Sequence, residues 1–96
     1  VTDERDIERR LVDLVTAAGG LCLKLDSSTR KGIQDRLLLL PGGRVIFVEV
    51  KRPDGGKVSV LQKVRAKQIE RLGFRSMIVQ NEDQLRKLEE EIAAIG

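Results

Sequence analysis

Two β-prone runs, residues 36–40 and 45–51, flank the turn Pro41-Gly42-Gly43-Arg44, and this arrangement constrains the fold more than any other stretch. Strand-forming residues on both sides of a glycine-rich connection predict an antiparallel hairpin. The hairpin also fixes where its polar residues go. Asp35 stands at the mouth of the first strand, beside Arg36 and four leucines. The second strand reads Val45-Ile46-Phe47-Val48-Glu49-Val50-Lys51. Side chains alternate faces along a strand, so Glu49 and Lys51 share the side of Phe47, and Ile46, Val48 and Val50 share the other.

The rest of the chain is organised around that hairpin. Thr2 or Asp3 can cap a first helix carrying Ile7, Leu11, Leu14, Val15 and Ala18 at helical spacing, which Gly19-Gly20 ends. Residues 21–25 read as a short strand, and the polar run 26–32 reads as a loop. A second loop covers residues 52–57. Ser59 opens another helix, with Leu61, Val64, Ile69 and Leu72 expected inward and Gly73 as its stop. Residues 75–80 form a last strand. Asn81 caps a final helix striped by Leu85, Leu88, Ile92 and Ile95. The expected class is α/β, in the order αβββαβ with a terminal helix. A right-handed crossover makes the last strand pair parallel, and helices flank the resulting mixed sheet. No repeat or linker divides residues 1–96, so one domain is expected. The strand bearing Glu49 follows a hairpin and precedes a crossover, which places it inside the sheet.

Composition excludes several kinds of chemistry. The chain has no His, so Ser-His and Cys-His nucleophile schemes and Cys/His zinc sites are out; its single Cys22 cannot form an internal disulfide. Two Phe and no Trp or Tyr leave no aromatic platform for stacking bases. No apolar run is long enough to span a bilayer and no signal-peptide pattern opens the chain, so a soluble, intracellular, cytoplasmic protein is expected. Charge is uneven. Residues 24–75 hold thirteen Lys/Arg against five Asp/Glu, between two mildly acidic helical ends. A basic field around carboxylates suits a polyanion such as DNA, with Arg30, Lys31, Arg52 and Lys57 on the two loops as candidate backbone contacts.

Two carboxylates and an ammonium beside a hairpin could form an oxygen-ligand site for a hard divalent cation, with the Val50 carbonyl as a third oxygen. Each residue also has a plain structural reading. Asp35 could face water or pair with Arg36 or Lys51, and Glu49 and Lys51 could be a solvated ion pair. Glu8, one turn before Leu11 and Val12, could reach the same cleft or belong to a surface charge pattern with Arg9 or Arg10. Gln62 completes the capping box Ser59-Val60-Leu61-Gln62, and could instead donate to a metal-bound water or a phosphate.

Together, Glu8, Gly32-Ile33-Gln34-Asp35-Arg36, Leu40-Pro41-Gly42-Gly43-Arg44, Phe47-Val48-Glu49-Val50-Lys51, Gln62 and Leu72-Gly73-Phe74 resemble the PD-(D/E)XK nuclease superfamily. Within it, the chain resembles the VRR-NUC family, the virus-type replication-repair nucleases, over nearly its whole length. The resemblance implies a restriction-endonuclease-like core and a DNA endonuclease dependent on Mg2+ or Mn2+. It assigns Glu8, Asp35 and Glu49 to the metal, Lys51 to catalysis and Gln62 to support of the site. It further implies a homodimer acting on branched DNA such as Holliday junctions, encoded by a phage or a bacterium. One departure stands out: Gln34 occupies the position where the family usually has Pro. Two other readings are a non-catalytic module that keeps the fold to bind DNA or protein, and a restriction-type enzyme cutting at a fixed sequence. If the chain dimerises, apolar surface on the last helix or a sheet edge is the expected contact.

Overall fold

The computed structural model describes residues 3–25 and 35–94. Its elements are α1 (Glu4–Ala17), β1 (Leu21–Lys24), β2 (Arg36–Leu40), β3 (Arg44–Val50), α2 (Val60–Arg71), β4 (Arg75–Val79) and α3 (Glu82–Ala93). Each helix starts where a side chain satisfies an orphan backbone donor. Asp3 accepts from the Asp6 N–H, Ser59 and Gln62 cap each other reciprocally, and Asn81 accepts from the Gln84 N–H. The Pro-Gly-Gly turn works through Gly42 and Gly43, whose φ angles of 83° and 76° suit residues without a Cβ.

The sheet runs β1-β2-β3-β4. The first two pairs are antiparallel and β3 pairs with β4 in parallel, as the crossover requires. β3 is therefore interior, as its place in the chain predicts. The hairpin register sets Arg36 opposite Val48 and Leu37 opposite Phe47. One step further, Asp35 lies across from Glu49.

Alternation along the strands divides the sheet into two unlike faces. Ile46, Val48 and Val50 of β3, Leu38 and Leu40 of β2 and Val79 of β4 form one core with Ile7, Leu11 and Val15 of α1 and Leu85 and Leu88 of α3. Gly20 lets α1 turn directly into β1, because a Cβ there would collide with the Leu39 carbonyl oxygen. Arg44 locks the far end: its guanidinium donates to the Glu91 and Ile92 carbonyls (3.0 and 2.8 Å) in the last turn of α3, where the Glu91 carbonyl also accepts from the Ala94 N–H.

The second face is thinly covered. α2 packs on β4, and Ile69 is its one buried residue. Leu61, Val64 and Leu72 were expected inward, but all three are exposed, Leu72 by 76%. The inward row is instead Gln62, Ala66 and Ile69, spaced at four and three residues. Gln62 thus lies on the sheet side of α2, and Leu61 and Val64 lie away from it. Beyond α2, Leu21 and Leu23 on the β1 edge and Phe74 at the end of the α2–β4 connection remain exposed. Among the described residues, no helix is long and apolar enough to cross a membrane.

Candidate active site

Asp35 and Glu49 meet at the open end of the hairpin. Adjacent strands lie about 4.8 Å apart, so neighbouring carboxylates on one face cannot avoid each other's field. The Asp35 side chain is fixed by the Val50 N–H, which donates to its Oδ1 at 3.2 Å. Its backbone carbonyl accepts from the Leu25 N–H at 2.8 Å, tying the end of β1 to the same place. The Lys51 N–H points the other way, to the Val79 carbonyl (3.1 Å). By strand alternation, the Val50 N–H and C=O both face the Asp35 side, so the Val50 carbonyl is aimed at this cluster.

Glu49 is 6% exposed. Its Oε2 lies 3.4 Å from Lys51 Nζ. Its Oε1 is buried and has no hydrogen-bond partner. An orphaned carboxylate oxygen in a folded interior costs free energy unless something cationic answers it. Burial pushes the Asp35 carboxyl above its ordinary value, and the charge of Glu8 adds to this against the opposing Val50 hydrogen bond. Burial likewise raises Glu49, and the charge of Asp35 raises it further, while Lys51 pulls it down. Two acids that disfavour each other's ionised form, one with a free buried oxygen, suit a divalent cation held by two carboxylates, the Val50 carbonyl and retained waters.

These shifts set the pH dependence of the metal-free fold. Each group binds its proton more tightly folded than unfolded. Its contribution to stability is therefore full below the unfolded carboxylate pKa, about 4, and is lost as the pH rises through the raised folded value. In chelator at neutral pH, Asp35→Asn, which keeps an oxygen for the Val50 N–H, should be more stable than the parent. The gap should close towards about pH 3, where both carboxyls are protonated in either state. Urea melts at the two pH values measure this.

Glu8 does not join the pair directly. It rides on α1, which covers the opposite face from Glu49, and its carboxylate lies 3.5 Å from Arg36 Nη2. It reaches Asp35 through its charge. Among the described residues, no three Asp, Glu or Cys side chains are gathered so as to hold a metal ion, and the donor set on view is Asp35, Glu49 and the Val50 carbonyl. Gln62 spends its carboxamide oxygen on the Ser59 N–H (2.9 Å). It nevertheless lines, with Glu49, a cavity of about 260 Å³ between α2 and the sheet.

Lys63 and Lys67 line that same cavity. Neither was singled out from the sequence, although two like charges four apart beside Gln62 were a readable signal. On the other side of Lys51, a cavity of about 350 Å³ is lined by Lys51, Arg52, Lys57, Gly55, Gly56 and Glu4. Arg52 and Lys57 thus stand next to the candidate site. Arg30 and Lys31, with Gly32 and Gln34, lie outside the described residues.

No protein-family model matches the chain. It is 38% identical over 80 residues to "Putative nuclease p44" of Acyrthosiphon pisum secondary endosymbiont phage 1, spanning 83% of this chain and 85% of the phage protein. A solved structure described as "VRR_NUC domain" superposes with a TM-score of 0.82 at 31% identity, covering 91% of this chain and 94% of the other.

Proposed function

The chain belongs to the VRR-NUC family, and from that premise we propose that it is a metal-dependent DNA endonuclease, selective for branched DNA and active as a homodimer. The observation that carries the chemistry is the buried, partnerless Glu49 Oε1 beside Asp35, with Lys51 Nζ 3.4 Å from the other Glu49 oxygen. Asp35, Glu49 and the Val50 carbonyl would hold Mg2+ or Mn2+. When bound, such an ion supplies a water of lowered pKa and a counter-charge for the phosphate. Asp35 is kept in place for this by the Val50 N–H. The Lys51 ammonium stands where it can orient the attacking water and neutralise charge growing on the phosphate oxygens. Gln62 lines the Glu49 cavity, with its amide NH2 left over from the cap to support the site. Arg52 and Lys57 on one side, and Lys63 and Lys67 on the other, give the DNA backbone cationic margins.

The homodimer is supported by apolar surface that the fold leaves over. Leu85, Leu88 and Ile92 of the α3 stripe pack into the core, so among the described residues the last helix offers no such contact; Ile95 lies outside them. Leu21 and Leu23 remain exposed on the β1 edge, at the opposite side of the second face from α2. A second copy covering that edge would answer its cost to a small domain.

The test is incubation of end-labelled four-way, flap and linear DNA with magnesium, manganese or chelator. Cuts are expected with either metal, concentrated on the branched substrates, and none in chelator. Salt-sensitive binding without cuts would leave a binding module. Cuts at one fixed sequence in linear duplex would mark a restriction-type enzyme.

A further inference from the structure

We propose that Gln80 is a positioning residue for DNA binding: its carboxamide clamps the loop after Lys51 and so sets where Arg52 and Lys57 meet the phosphate backbone. This rests on the nuclease reading and adds to it a residue outside the proposed metal and catalytic set.

Gln80 follows β4, beside the point where β3 gives way to the loop. Its Nε2 donates to the Arg52 carbonyl at 3.2 Å and the Gly56 carbonyl at 2.6 Å. Both partners can only accept, so the NH2 end must be the one facing them. Its two hydrogens thus join two loop residues four apart in sequence. The Gln80 backbone N–H donates to Gln84 Oε1 (2.6 Å), anchoring the clamp to the first turn of α3. Gly56 permits the closure: a Cβ there would lie 2.7 Å from the Arg52 carbonyl oxygen and 3.1 Å from Lys51 Cβ. The loop is therefore pinched shut against the root of Lys51. Its walls carry three cations, Lys51, Arg52 and Lys57, against the single carboxylate of Glu4. Cations on a closed loop bind phosphates without first losing the freedom of an open one.

Gln80→Met keeps length and charge but removes both donors. Anisotropy of labelled DNA across a salt series, in chelator so that nothing is cut, should show about tenfold weaker binding. The slope of log affinity against log salt should shrink by about one to two units, at about 0.9 per lost phosphate contact. Single-turnover cleavage at saturating protein should stay within about twofold of the parent, a split between binding and rate. Gly56→Ala disturbs the same loop from the other side and should give the same signature, so it decides the matter if Gln80→Met fails to fold. In an Arg52→Ala/Lys57→Ala background, Gln80→Met should cost nothing further. Parental affinity and slope in both single variants, or an undiminished loss in that background, would overturn the clamp. A parent protein that binds no DNA would instead bring down the nuclease reading and the clamp with it.

Discussion

Lys51→Ala should lower single-turnover cleavage by about 10²- to 10⁴-fold, while leaving the fold and divalent-ion binding in place. The ammonium is held beside Glu49 Oε2 at 3.4 Å, at the last turn of chain before the basic loop. In the proposed mechanism, removing it withdraws a positive charge that would stand beside the reacting phosphate. It also withdraws the group that pulls the Glu49 carboxyl down against burial and Asp35. Glu49 then holds its proton to higher pH, so the residual activity should rise with pH over a range where the parent is already level. Lys51→Arg should recover DNA affinity without the rate, because a planar fork does not place its charge where a compact ammonium does. Rates measured across pH at saturating protein separate these effects. Parental cleavage by Lys51→Ala would remove the residue from the chemistry.

The second large effect is at Glu49. Glu49→Gln keeps the shape and removes the charge, and should cost on the order of 10³-fold in cleavage, as expected when an electrostatic element of a water-poor site is lost. The same change should raise the melting temperature of the metal-free protein at neutral pH. It relieves a buried carboxylate that burial and Asp35 together disfavour. A protein that becomes more stable as it loses activity is the signature of a strained functional cluster. Glu8→Gln is a contrast, because its carboxylate faces Arg36 on the other side of the sheet.

The meeting of Asp35 and Glu49 was legible in the sequence because the Pro41-Gly42-Gly43 turn sets the hairpin register, and the register decides which residues face each other. The helix starts were legible because Asp3, Ser59 and Asn81 are local hydrogen-bonding devices. The inward face of α2 was not. Apolar spacing marked Leu61, Val64 and Leu72, but a helix resting on one edge strand buries little, so its hydrophobic row need not be the one turned to the sheet. The place of Glu8 was not legible for a related reason: helical spacing shows that it flanks a stripe, not which sheet face that stripe covers. Gln80 gave no signal at all. Its partners lie 24 and 28 residues back in the chain, and contacts across that distance exist only once β3 and β4 are paired.

Titration of Mn2+ into the chelator-stripped protein, followed by electron paramagnetic resonance of the free ion, reads the carboxylate pair without DNA or turnover. Saturable binding is expected, weakened strongly by Asp35→Asn and by Glu49→Gln and little by Lys51→Ala. Binding that survives loss of both carboxylate charges, or no binding by the parent with or without DNA, would contradict a cation held at the mouth of this hairpin.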